Sequence, residues 1–210
     1  MKNLFLEGPI QTGKSTLIRE VLHEACGPEL TGVGGFTVQR MHFPTPGNDK
    51  RFGFRLMPAA APIKAHTCVT TTDENLLASD GVFKLTGCEG GSRTNMEVFE
   101  TKGVTLLTQA LEDAKAGRIG LVLLDEIGGH EMKCRKFMSL LNRLLDSDIP
   151  CIGVIKHPDS TRRMDPSLLE ANEKLHKKIT GHENESGEIL YYERGDDMVR
   201  SALQIFLKRF

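Results

Sequence analysis

The chain has 210 residues, enough to bury a substantial core without disulfide or metal staples. Its 27 Lys and Arg nearly cancel its 28 Asp and Glu, leaving a net charge of -1, so no global basic field points to nucleic acid or to an anionic membrane surface. The five cysteines form no CxxC pair or zinc spacing, and no apolar run approaches the ~18 residues of a membrane span, so a single cytoplasmic domain over residues 1–210 with free thiols is expected.

Asn3 to Glu7 reads as a short strand. Leu17, Ile18, Val21, Leu22 and Ala25 then share one face of a helix from about Lys14 to Cys26, stopped by Gly27 and Pro28. From Thr31 the texture becomes β-rich. GGFTVQRMHF and KRFGFRLMP, separated by the turn residues PTPGND, predict an antiparallel hairpin, and short strands and loops follow from Pro58 to Asn95. Val104, Leu107, Leu111 and Ala114 mark a helix ended by Gly117, and Ile119 to Leu124 is a continuous apolar strand of the kind buried on both faces. Phe137, Leu140, Leu141, Leu144 and Leu145 make the next helix, and Cys151 to Ile155 the next strand. A strand near Ile189 to Tyr192 precedes a C-terminal helix carrying Val199, Ala202, Leu203, Phe206 and Leu207. The alternation predicts an α/β fold, a doubly wound and mostly parallel sheet with a β-rich insertion at about 31–95 after the first helix.

Between the first strand and first helix stands GPIQTGKST: Gly8, Pro9, Ile10, Gln11, Thr12, Gly13, Lys14, Ser15 and Thr16. The stretch fits G-x-x-x-x-G-K-[ST] in the strand-to-helix context that gives the pattern its meaning. Glycines let backbone N–H groups turn inward on polyphosphate oxygens, and the helix N-terminus adds partial positive charge. Lys14 is placed to reach the β- and γ-phosphates and the Ser15 hydroxyl to ligate magnesium. A second metal anchor is needed, and the strand in IGLVLLDEIGGHE ends in Asp125, followed at once by Glu126. Consecutive side chains diverge on a strand, so one carboxylate can face the metal while the other faces an attacking water.

At these residues the chain resembles the small P-loop nucleoside-triphosphatases that include the human cancer-related nucleoside-triphosphatase and its bacterial and archaeal relatives. The resemblance extends to Gly35, Phe36, Thr37, Val38 and Arg40, to Arg51, Gly53 and Phe54, to Phe99 and Glu100, and above all to Asp125, Glu126, Ile127, Gly128 and Glu131. It implies a RecA-like or related α/β core that hydrolyses nucleoside triphosphates, ATP or GTP, with Mg2+ and broad base tolerance. Where that family has a third loop glycine this chain has Gln11, and Gly129 and His130 stand where Lys and Met are common.

The residues leave alternatives open. A nucleoside or nucleotide kinase would use the same loop, with an acceptor pocket in the 31–95 insertion. A GTPase switch lacks its Asn-Lys-x-Asp guanine reader, and a non-catalytic nucleotide-binding module would not require Ser15, Asp125 and Glu126 together. Lys156, His157, Arg162 and Arg163 follow a strand end, where a γ-phosphate sensor belongs, but read individually as a solvated basic loop. Arg40 and Arg51 flank the hairpin as nucleotide-site or edge residues; His130 reads as a loop residue and Cys134 as core.

Overall fold

The computed structural model describes residues 2–44, 51–61, 68–70, 81–88, 91–181 and 187–210. Strand β1 (Asn3–Glu7) is buried on both sides: Leu4 and Leu6 pack toward one helical layer and Phe5 toward the other, as the period of two requires. Helix α1 (Lys14–Cys26) buries Leu17, Ile18, Val21 and Leu22, the stripe expected from sequence. The β-rich segment supplies β2 (Val33–His42), β3 (Phe52–Pro58), β4 (Val69–Thr70), β5 (Val82–Cys88) and β6 (Gly91–Thr94). A π-helical turn at Phe99–Gly103 leads into α2 (Val104–Lys115), followed by β7 (Leu121–Ile127), α3 (Arg135–Asp146) and β8 (Cys151–Ile155). Then come α4 (Pro158–Met164), α5 (Leu169–Thr180), β9 (Gly187–Tyr191) and α6 (Asp197–Leu207).

Among the described residues the sheet runs β6-β5-β3-β2-β7-β8-β1-β9, and β4 pairs with β2 at Met41 and His42, past the end of β7. Pairing is parallel from β2 through β7, β8 and β1 to β9 and antiparallel from β2 through β3 and β5 to β6. The predicted hairpin is therefore β2 and β3; its PTPGND turn lies, but for Pro44, outside the described residues. Helices α1 and α6 cover one face through Leu22, Leu203 and Phe206, and α2, α3 and α5 cover the other through Leu107, Phe137 and Ile179.

Three departures from the sequence reading matter for the site. Strand β7 runs on to Ile127, so Asp125 and Glu126 lie inside it. The segment read as a basic loop is α4, begun by Pro158 and capped by the His157 side chain, which accepts from Asp159 N. Helix α5 follows where no element was expected, because LEANEKLHKKIT carries too few apolar residues to show a 3.6 period.

Candidate active site

Strands β1, β7 and β8 are parallel, so their carboxyl ends meet at one rim of the sheet, with β8 between the other two. The loop Gly8–Gly13 leaves β1 at that rim. Gly8 has φ +133°, and a Cβ there would lie 2.5 Å from the Tyr192 carbonyl oxygen, so the position accepts no side chain. Gln11 takes the left-handed conformation at φ +62°, a cost of about 1 kcal/mol for a residue with a Cβ. With its amide oxygen turned toward Arg40, Gln11 accepts from Nη1 at 3.0 Å and Nη2 at 3.2 Å. Arg40 in turn places its guanidinium 4.0 Å above the Phe52 ring, so it serves the loop as well as the hairpin. Thr12 Oγ1 donates to Pro9 O at 3.0 Å, and Ile10 is exposed at the loop tip. Lys14 Nζ folds back on the loop, donating to Gly8 O at 3.0 Å and to Pro9 O. Burial lowers the Lys14 pKa, against the opposing pull of Glu126, Asp125 and Glu7. Thr16 lines a cleft on the α1 side.

Asp125 gathers donors from two elements. It accepts from Ser15 Oγ of α1 at 2.6 Å, and from Thr37 Oγ1 (2.9 Å) and Val38 N (3.2 Å) of β2, while Arg19 Nη1 of α1 stands 3.7 Å away. Alternation explains the aim: Leu121 and Leu123 pack on the α1 layer, so Asp125 faces it too. Thr37 and Arg19 carried no expected role at the site; Thr37 belongs to the Gly35-Phe36-Thr37 run, but nothing in the sequence pairs it with a residue 88 positions away.

Glu126 breaks the alternation. Its φ of +65° and a register shift between Leu124 and Ile127 mark a bulge, after which Ile127 packs in the α2 and α3 layer. Its Oε1 receives Lys156 Nζ, with the two side chains 35% and 24% exposed. Burial raises the Glu126 carboxyl's pKa, but the charges of Lys156, Lys14 and Lys84 win and hold it below the usual range. The Lys156 ammonium is raised correspondingly, Glu126 outweighing its burial. Lys156 is therefore a partner of the acidic pair, and the solvated-loop reading is wrong for it.

Helix α5 ties the strand ends together. Asn172 Nδ2 donates to Lys156 O (3.0 Å) and Gly128 O (3.3 Å), and Thr161 Oγ1 of α4 also donates to Gly128 O at 2.9 Å. His176 faces Asn172 O with Nδ1 (2.9 Å) and Glu7 Oε2 with Nε2 (3.1 Å). That bond, chiefly, depresses the Glu7 carboxyl against the opposing effect of burial. Glu131 is buried and accepts from Gly129 N at 2.7 Å, bracing the turn after Glu126; burial raises its pKa.

The remaining candidates fall outside this cluster or on its margin. Arg162 pairs with Asp159 at 3.4 Å on α4, and Arg163 Nε donates to Asp159 O at 3.3 Å. Arg51 O accepts from Phe43 N at 2.9 Å beside the hairpin. Cys134 is buried at the start of α3. His130, whose pKa burial lowers with help from Lys84 and Lys133, lines a cleft with Phe83, Lys84, Phe99, Glu126 and Lys156. A second cleft adjoins the loop, between Thr12, Gly13 and Thr16 and the residues Tyr192, Arg194 and Asp197.

The family profile described as NTPase matches residues 3–184. The nucleoside-triphosphatase THEP1 of Methanocaldococcus jannaschii is 27% identical over 184 residues, 84% of this chain and 94% of its own. That of Aquifex aeolicus is 26% identical over 153 residues, 72% of this chain and 76% of its own. The crystal structure of THEP1 from Aquifex aeolicus superposes with a TM-score of 0.59 at 18% identity, covering 100% of both chains. The solution structure of a human cancer-related nucleoside triphosphatase gives 0.56 at 17% identity, covering 100% of this chain and 97% of that one. Both likenesses are to the fold, a mixed sheet with a parallel core and an antiparallel extension. With the phosphate-loop sequence on one strand end and the acidic pair two strands away, the chain belongs to the NTPase family.

Proposed function

We propose that the protein hydrolyses nucleoside triphosphates to diphosphate and phosphate with magnesium, using Lys14, Ser15, Asp125 and Glu126. The observation that carries this reading is the 2.6 Å contact between the Ser15 hydroxyl and Asp125, with Glu126 next in the strand. The amides of Gly8–Thr16 and the α1 N-terminus receive the phosphates, and Lys14 exchanges its loop carbonyls for β- and γ-phosphate oxygens. A hydroxyl and a carboxylate are hard oxygen donors, and magnesium characteristically takes one or two protein oxygens beside those of its phosphates. Ser15 and Asp125 would hold it, and bound there it would neutralise phosphate charge. Glu126 orients a water and accepts its proton as the water oxygen bonds to the γ-phosphorus and the bond to the β-phosphate oxygen breaks.

The cleft between Thr16 and Asp197 is the natural seat for the nucleoside, since it continues from the loop that takes the phosphates. It offers both a cation and an acid, Arg194 and Asp197, which supports tolerance of either ATP or GTP. No helix among the described residues is long and apolar enough to cross a membrane, and we place the reaction in the cytoplasm. A kinase is the second reading, favoured by the cleft beside Glu126, which could seat an acceptor hydroxyl. Phosphate release from a panel of triphosphates with magnesium, with and without added nucleosides, separates the two. Free phosphate without any acceptor supports hydrolysis, and phosphate appearing solely on a nucleoside overturns it.

A further inference from the structure

We infer that Lys156 is a second cation of the reaction, which holds Glu126 while the site is empty and passes to the γ-phosphate when a triphosphate binds. The inference rests on the hydrolase reading above and adds a residue to it. Strand β8 separates the loop-bearing β1 from the acidic β7, and Lys156 is the first residue past its end. The backbone at Lys156 is pinned on both sides: its N–H donates to Ile127 O at 2.9 Å, and its carbonyl accepts from Asn172 Nδ2 at 3.0 Å. What can move is the side chain. Its stem lies over Gly129, where a Cβ would come 3.0 Å from Lys156 Cε and 3.5 Å from Cδ, so the glycine keeps that path clear.

Charge gives the movement its direction. Lys14, Lys84 and Lys156 all act electrostatically on Glu126, and Lys14 and Lys156 repel one another. Two of these ammonium groups are parked on partners inside the protein, Lys14 on loop carbonyls and Lys156 on Glu126. A γ-phosphate brings about two negative charges against the single charge of a carboxylate, so an ammonium within reach of both favours the phosphate. The transfer also frees Glu126 Oε1. While Lys156 sits on that oxygen, its ammonium draws on the carboxylate's charge and makes it a weaker acceptor for a water proton; the transfer restores that acceptor strength. A diphosphate lacks the γ-group and leaves the pair closed, so Lys156 contributes to the preference for triphosphate over diphosphate.

A nonhydrolysable triphosphate analogue and a diphosphate, both with magnesium, are titrated into the parent, Lys156→Met, Glu126→Gln and the double variant. Methionine keeps an unbranched stem over Gly129 and removes the charge, while Lys156→Arg keeps the charge. Thermal unfolding of each variant checks its fold. If Lys156 reaches the γ-phosphate, Lys156→Met lowers the triphosphate-over-diphosphate preference about tenfold or more in the Glu126→Gln background, where no carboxylate competes for the ammonium, and in the same direction by a smaller factor in the parent. Lys156→Arg then restores part of it. If Lys156 serves solely as a partner for Glu126, the effect of Lys156→Met vanishes in the Glu126→Gln background, and the inference is overturned. A parent protein that binds neither nucleotide overturns the phosphate-loop reading beneath it, and this inference with it.

Discussion

Replacing Asp125 with Asn preserves shape and removes charge at the point where the loop helix meets the sheet. Asp125 faces donors alone: the Ser15 and Thr37 hydroxyls, Val38 N–H and, at 3.7 Å, the Arg19 guanidinium. An amide has one oxygen for them. The Val38 N–H cannot reverse, so the oxygen must stay on the β2 side and the NH2 must turn to Ser15, whose hydroxyl then rotates to accept. Bonds persist but lose their charge assistance, and Arg19, with a side chain 13% exposed, loses its nearby anion. At about 1 kcal/mol for these combined effects on each side, the variant loses about 2 kcal/mol. For a chain of this size that lowers Tm by roughly 4–8 °C. The rotated amide also offers the metal no anionic oxygen. Magnesium dependence of phosphate release should therefore shift at least about tenfold to higher concentration, with metal-free nucleotide affinity little changed. Scanning calorimetry and a magnesium titration of turnover test the two parts. A lowered Tm with an unmoved magnesium midpoint would reduce Asp125 to a structural hub and refute the metal assignment.

Gln11 sits at φ +62°, so Gln11→Gly should bind triphosphate within about threefold of the parent, whereas β-branched Gln11→Val should weaken binding about tenfold or more; equal affinities by calorimetry would remove the loop-shape argument. The folded Glu7 carboxyl is depressed below its ordinary 4.5, so its contribution is full above that value and lost as pH falls through the lower, folded one. Glu7→Gln should thus be about 1 kcal/mol less stable at pH 7 and converge on the parent in acid, and a difference independent of pH in denaturant titrations would contradict the pairing with His176. Asn172→Asp points carboxylate lone pairs at the Gly128 and Lys156 carbonyls in a fully buried position, costing about 3 kcal/mol at pH 7 by urea unfolding. Part of that loss should return near pH 4, where the protonated acid can donate again; a loss that persists unchanged would argue against these bonds.

What the sequence made legible was local. Strand β1, helix α1 and strand β8 stand at the predicted boundaries, because each pairs a clear apolar period with glycine or proline punctuation. The loop and Asp125 stood out as candidates for the same reason: the residues that suggest them are adjacent in the chain. Thr37, Arg19 and Asn172 did not, since Thr37 and Asn172 reach the site across a long stretch of chain and Arg19, one turn past Ser15 on α1, is a lone polar residue that carries no periodic signal. Lys156 was visible as a strand-end cation, but its pairing with Glu126 depends on β8 lying beside β7, a sheet order that periodicity does not fix. The bulge at Glu126 was hidden too, because its φ of +65° occurs at a residue with no conformational preference for it.

The central claim is that Glu126 turns a bound triphosphate over to water. Glu126→Gln keeps the side chain's size and reach and removes its basicity, so single-turnover phosphate release, measured beside equilibrium binding of the same triphosphate, tests it most directly. The account predicts binding retained and the hydrolytic step slowed by about 10² to 10⁴, the usual worth of a general base. Hydrolysis at the parent rate, with binding intact, would contradict it.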